Sequence, residues 1–389
     1  DRFLEVVAAG NEKVLRARLA DAEFFWLEDV KTPLIDNLPK LDNIVFHEKL
    51  GSLRAKVNRV EKLALYLAKT LAYDGKQLEK VSRAAFLMKC DLVSHAVYEF
   101  TELQGIMGEY YAQKDQEDPE VSQAIREHYQ PRFAGDELPQ TAVGKVNAIA
   151  EKLDSVAGFF AIGIQPTGSQ DPYALRRAAS GMVQILVKNK IDISLADLIG
   201  YAYDLLANDV TLTKNKEEVI ASVRDFLAQR LENILNDEGI IYDTVNAIRV
   251  AGYDNIYQAY RRAWALSESR KTPGFGELLA GFTRAANIIK KNGHGEKLVR
   301  ESLLEDQSEK DLHKALIKAS ENVQAAMFVN DYQAALDAIG SLRIQIDAFF
   351  NDVMVMADDM VLRNNRLALL SSIVDLTKGI GDLSLIVGK

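Results

Sequence analysis

The 389-residue chain is poor in the residues that staple a fold or carry it across a bilayer. A single cysteine, Cys90, excludes an intramolecular disulfide framework and a multi-cysteine zinc site, and it suits a reducing compartment. No run of about 18 apolar residues exists, so no membrane span is expected. Neither a Gly-x-Gly-x-x-Gly nor a Gly-Lys-Ser/Thr phosphate loop occurs, which leaves the chain without a nucleotide-handling motif of its own. No charged-then-apolar leader precedes Asp1 and no initiator Met is present; the sequence reads as a processed chain or a fragment without a signal peptide. Fixed-period repeats and low-complexity tracts are absent too.

What is present is ordinary folded protein, 48% hydrophobic and 26% charged, which argues against wholesale disorder. The length gives a prior of two or three domains. The formal net charge of −9 argues against a protein that coats nucleic acid indiscriminately. It does not exclude nucleic-acid binding, because affinity depends on where the positive charge lies.

The punctuation predicts helices nearly throughout. Only eight prolines occur, most of them in short polar connectors. Leu53, Val57, Val60, Leu63, Ala64 and Leu67 recur at steps of three and four, as an amphipathic helix requires. Further helices are expected at 78–97, 120–129, 142–160, 194–207, 216–236, 242–250, 253–268, 275–291, 308–328, 331–355 and 358–377. Another follows the start signal at 166–172, where Pro172 fits a first helical turn and Asp171 can cap the free amides. Strand-like alternation is brief everywhere, so the fold class is all-α. Softer boundaries divide the chain into 1–40, a remnant and connector; 41–165, a first helical domain; 166–240, a helical body; and 241–389, a last helical domain.

Two constellations carry possible chemistry. His47, the adjacent pair Cys90 and Asp91, His128 and Asp154 lie on four successive helical segments, a spacing similar to that of HD phosphohydrolase domains, whose hallmark is a His, then a His-Asp pair, then a late Asp. Inward His and Asp side chains from neighbouring helices can build divalent-metal sites. Here cysteine replaces the central His, and a lone thiol must lose its proton to substitute for it. The alternative is a retained scaffold in which these are capping or buried hydrogen-bonding groups; an intact hydrolase site is not supported and no metal is expected. The second constellation is electrostatic: residues 270–300 hold seven Lys and Arg against two Glu. Arg284, Asn287 and Lys291 share one helix face, with Lys290 beside them. Such a face suits RNA, since cations hold phosphates while Asn and Arg can read exposed base edges; a solvated helix end favoured by the dipole is the competing account. Leu342, Ile346, Phe349, Val353 and Met356 form an expected buried stripe, with Arg343 near its start. Arg363 and Arg366, beyond Asp358 and Asp359, are expected at a surface. Tyr253, Tyr257, Tyr260, Arg261 and Arg262 offer either a stacking platform or core packing.

With these residues in view the chain resembles the β subunit of bacterial heterotetrameric glycyl-tRNA synthetase. The resemblance rests on Phe-Phe-Trp-Leu-Glu-Asp at 24–29, Leu-Gly-Ser-Leu-Arg-Ala-Lys at 50–56, Lys-Cys-Asp-Leu at 89–92, 102–111, 152–160, Pro-Thr-Gly-Ser at 166–169, 171–177 and 347–370. It implies an HD-like helical domain, a connecting body and a DALR-type anticodon-binding domain at 241–389. The family subunit is longer, so Asp1 is expected to start mid-chain. The resemblance further implies that this chain binds and positions tRNA(Gly) in an α2β2 assembly in the cytoplasm, with no membrane or DNA partner. ATP and Mg are used by the α subunit, and no cofactor is expected on this chain. The implied tRNA contacts are Arg284, Asn287, Lys290 and Lys291. Arg343, Arg363 and Arg366 are second candidates, and Arg176 and Arg177 either touch the tRNA backbone or support the turn at Pro166. A nucleotide phosphohydrolase of the HD type is the rival function.

Overall fold

The computed structural model describes residues 3–295 and 298–387. It divides into two compact units, Asp1–Leu227 and Ala228–Lys389. Among the described residues only two short strands interrupt an otherwise helical chain. Among the described residues no helix is long and apolar enough to cross a membrane.

The first unit contains α1 (Leu4–Asp29), α2 (Leu53–Thr70), α3 (Gly75–Leu87), α4 (His95–Glu99), α5 (Ile106–Lys114), α6 (Pro119–Glu127), α7 (Ala142–Ala161), α8 (Leu175–Lys188) and α9 (Leu195–Asp209). The division falls inside α10 (Lys216–Asp237). Helix α7 is the centre of this unit: 16 of its 20 residues are buried, and α2, α3, α6, α8 and α9 pack around it. Its alanines and glycines let neighbours approach on every side, as a helix apolar all round requires. Side-chain caps fix where the helices begin. Ser52 accepts from the Ala55 amide, Thr141 from Gly144, and Asp74 with Gln77 forms a capping box. The hairpin of β1 (Val45–His47) and β2 (Gly51–Ser52) leads into α2.

Helix α1, expected only as a connector, is a continuous 26-residue helix with no buried residue. Its last turn explains the motif at 24–29. Trp26 stacks on Tyr111 at 5.3 Å, and the Asp29 carboxylate accepts from the His95 and Ala96 amides at 2.9 and 3.0 Å, capping α4. Burial raises the Asp29 pKa, but these amides and the Tyr111 hydroxyl outweigh it and leave the carboxyl below its ordinary range.

The second unit contains α11 (Tyr242–Val250), α12 (Ile256–Ser269), α13 (Phe275–Asn292), α14 (Gln307–Phe328), α15 (Tyr332–Gly340), α16 (Arg343–Asp352) and α17 (Met360–Asp375). Helix α13 packs on α16 and α17, and α14 on α15, α16 and α17.

Three expected helices are corrected. The segment 78–97 breaks after Leu87 into a 3-10 turn at Cys90–Val93, then α4. Asp91 causes the break: its carboxylate accepts from the Gly105 and Gly108 amides at 2.5 and 3.2 Å, which a continuous helix would not allow. The segment 331–355 splits at Ser341 into α15 and α16. Pro172 is not in a helical turn: α8 starts at Leu175, although Asp171 does accept from the Leu175 and Arg176 amides at 2.9 Å each. The chain bridges that gap through Ala174 at φ +54°, a left-handed conformation uncommon for a residue with a Cβ.

Candidate nucleic-acid interface

At the HD-like positions the surroundings decide what chemistry is possible. Asp154, on α7, is 3% exposed. Its carboxylate accepts from Arg59 Nε at 2.8 Å, Arg59 Nη2 at 3.2 Å and Lys56 Nζ at 3.2 Å. Burial raises its pKa, yet the two cations prevail and hold the carboxyl below the usual range. Cys90 donates its thiol to the Phe86 carbonyl, and burial pushes its pKa up to about 12. His128 Nδ1 lies 2.6 Å from the Ile125 carbonyl, and burial drives the imidazole pKa well below its ordinary value. His47 stands apart on β1, edge-on to Phe159 and Tyr173. Two further lysines are buried here. Lys152 donates to the His128 and Gln130 carbonyls at 3.1 and 2.7 Å, and Lys89 sits 3.9 Å from the Tyr129 ring centroid. Burial lowers both ammonium pKa values to about 8. Among the described residues no cluster of three or more His, Cys, Asp or Glu is arranged to hold a metal ion. Asp154 is spent on internal cations and Cys90 on a carbonyl, while Asp91 Oδ1 and His128 Nε2 stay unpartnered but belong to no such cluster, so the hydrolase alternative has no donor set to work with.

Asp91 has a testable consequence. Burial lifts its pKa to about 6, against the opposing pull of the Gly105 amide and Lys89. Between about pH 4 and 6 the folded chain then keeps a proton that the unfolded chain has released, so stability falls as pH rises through that window. Asp91→Asn is expected to remove this contribution, about 3 kcal/mol. Urea unfolding at pH 4 and pH 7 checks it: the wild-type difference shifts by that amount in the variant.

The basic segment behaves differently. Along α13, Arg284, Asn287, Lys290 and Lys291 are all exposed, and among the described residues none has a side-chain hydrogen bond or ion pair. Arg284 rests over the Phe350 ring, 4.3 Å from its centroid, an arrangement that orients the guanidinium without consuming its donors. Arg284, Asn287 and Lys291 line a cavity of about 770 Å³ with Thr283, Ile288 and Met356. Lys290 points to the adjoining face and is not part of that lining. Lys297, counted with the basic segment, lies outside the described residues.

Arg343 pairs with Glu277 at 2.9 Å and packs across Gly274, which starts α13 at φ +85° and where a Cβ would press on the guanidinium at 3.1–3.2 Å. Arg363 Nε donates to the Ala357 carbonyl at 2.7 Å. The expectation that Arg366 is available at a surface is corrected: it is buried, with Nε on Glu309 at 2.5 Å and Nη1 on the Met354 carbonyl at 2.9 Å. Arg176 donates to the Gly168 carbonyl at 2.7 Å and so braces the Pro166 turn, while exposed Arg177 reaches the Arg132 carbonyl at 3.4 Å. Tyr253 is buried and Tyr260 donates to Glu238 at 2.8 Å, so those two rings belong to the packing.

Met356 also differs from its expected place. It is not in the buried stripe but 39% exposed at the cavity. The signal lay in Val-Met-Val-Met at 353–356: Val353 and Val355 are buried while Met354 and Met356 face out, a period of two that no helix gives.

Comparison with known proteins fits this geometry. The DALR anticodon binding domain model matches residues 278–382, the stretch that holds most of α13 and the helices packed on it. The glycyl-tRNA synthetase beta subunit model matches residues 1–250, and the chain belongs to that family. It is 46% identical over 385 residues to the glycine–tRNA ligase beta subunit of Desulforamulus reducens, covering 99% of this chain and 55% of that protein. The corresponding protein of Syntrophomonas wolfei is 45% identical over 387 residues, covering 100% and 56%. That of Bacillus subtilis is 44% identical over 386 residues, covering 99% and 55%. The chain thus spans about half the length of the curated relatives it matches.

Proposed function

We propose that this chain is the tRNA-gripping portion of a glycine–tRNA ligase. It binds tRNA(Gly) by the anticodon arm and holds it for glycylation by the α subunit, in a cytoplasmic α2β2 assembly. Adenylate formation, with its ATP and Mg, belongs to that partner, and this chain takes no cofactor. Neither a membrane nor DNA is a partner.

The observation that carries it is the α13 face. Arg284, Asn287 and Lys291 are exposed, unpaired among the described residues and gathered on one cavity within the segment matched by the anticodon-binding model. Unpaired cations beside an amide supply phosphate affinity and edge recognition together. Lys290 adds a phosphate contact on the adjoining face, and Arg343, half engaged with Glu277, is a secondary contact. Arg363 and Arg366 serve by bracing the 354–357 loop, and Arg176 by bracing the 166–170 turn. Arg177, exposed, is left as the one backbone contact proposed on the first unit.

Photocrosslinking of a tRNA(Gly) transcript to the purified chain, followed by peptide mapping, tests the assignment. Modified peptides are expected from 275–292. Modification confined to the first unit would overturn it.

A further inference from the structure

The loop between α16 and α17 exposes methionine in an ordered setting. Its backbone is clamped at both ends: Arg366 donates to the Met354 carbonyl at 2.9 Å and Arg363 to the Ala357 carbonyl at 2.7 Å. Arg366 is itself fixed by Glu309 at 2.5 Å, and the same Glu309 carboxylate accepts from the Glu305 and Asp306 amides at 2.7 and 2.9 Å at the start of α14. A buried Arg–Glu pair costs desolvation and adds little net stability, so what it contributes here is geometry. The clamp holds a loop that bends at 355–356, with Val353 and Val355 inward and Met354 and Met356 outward.

Met356 therefore reaches the α13 cavity as a positioned apolar surface. Leu279, Ala280, Ile288 and Ile386 complete that side, while Thr283, Arg284, Asn287 and Lys291 supply the polar one, and no carboxylate lines it. The volume of about 770 Å³ falls within the range of small-molecule sites. An occupant should be flat and apolar on its faces, hydrogen-bonding at its edges and negatively charged alongside. A paired base offers only an edge, whereas an unstacked base of a loop offers all three properties.

Resting on the reading of α13 as an RNA contact, we propose that this cavity holds one extruded base of the bound RNA. Met356 lies against its face, Asn287 meets its edge, and Arg284 and Lys291 hold its phosphates. Thioethers pack favourably on aromatic rings, and apolar side chains including Met are used elsewhere against unstacked bases. Arg363 and Arg366 are positioning residues that keep Met356 in place.

The test compares Met356→Ala, Met356→Leu and Lys291→Ala in binding to a tRNA(Gly) transcript and to a blunt RNA duplex over a series of salt concentrations. Met356→Ala is expected to weaken tRNA binding about 5- to 10-fold, the low end of the range for bases stacked on aromatic side chains. It should leave duplex binding and the salt slope unchanged, while Met356→Leu retains most of the affinity. Lys291→Ala should weaken both RNAs and flatten the slope. If Met356→Ala binds tRNA normally while Lys291→Ala does not, the base pocket is overturned and the α13 contact stands. If neither matters, the RNA reading fails and takes the pocket with it. Loss of α-subunit assembly in Met356→Ala with RNA affinity intact would reassign the cavity to a protein partner and also overturn the proposal.

Discussion

Replacing Lys290 and Lys291 together by glutamate is expected to weaken tRNA(Gly) binding by about 10- to 100-fold near physiological salt. A phosphate left without its lysine keeps its condensed counterions, so the slope of log K against log salt should flatten by about 0.7–0.9 per phosphate. Both side chains are exposed and unpaired among the described residues, so no packing is given up. They do lie in the last turn of α13, where the helix dipole favours cations, and that limits the stability loss to about 1 kcal/mol. The single Lys291→Glu change should carry the larger share, because Lys291 lines the cavity and Lys290 does not. A matched reversal at exposed Lys13 and Arg16 on α1 separates local from global charge. The chain is already at −9, and if net charge governed binding the two double variants would lose affinity equally. Equal losses would discard the α13 assignment.

The legibility of α13 has a physical basis. Its ends are punctuated by Gly274 and Gly293, both at φ +85°, and its polar face needs no partner, so spacing alone places Arg284, Asn287 and Lys291 together. The same reasoning predicted α2 and α7, whose apolar steps are local facts about the chain. It failed where distant groups decide. The break after Leu87 depends on two amides 14 and 17 residues beyond Asp91. The fate of Asp154 depends on Lys56 and Arg59, nearly a hundred residues earlier, and nothing in the spacing of His47, Asp91 and Asp154 announces that cations fill the space between helices. Met356 was misplaced for a different reason: a helical period was carried past Asp352, where the helix ends. Arg366 went with it, since its burial follows from a pairing with Glu309, 57 residues away.

Asp154→Ala is expected to be the most destabilising single change in the first unit. Asp154, Lys56 and Arg59 are 3%, 1% and 2% exposed, so removing the carboxylate strands two cations out of reach of water. Part of the loss is offset, because Lys56 also donates to Ser155 Oγ at 2.7 Å and lies 3.4 Å from Glu151, while Arg59 Nη1 reaches the Leu50 carbonyl at 3.2 Å. Breaking one partner of a buried pair costs about 3–5 kcal/mol, which in a domain of this size lowers Tm by roughly 6–20 °C. The pH dependence follows from the depressed carboxyl. Its stabilisation is complete above the unfolded value near 4 and is lost as pH falls through the folded value, so acidification below about pH 4 should erode the wild type and spare the variant. Asp154→Asn preserves shape and one acceptor but not the charge, and should fall between the two. A catalytic metal site predicts the reverse pattern. Truncating one ligand of an apo site relieves repulsion between carboxylates and leaves thermal stability unchanged or higher, whereas chelation with EDTA lowers the wild-type Tm. Calorimetry of the wild type with and without EDTA, beside Asp154→Ala, decides between them: a stable variant and an EDTA-sensitive wild type would mean that the internal cations do not hold this helix in place.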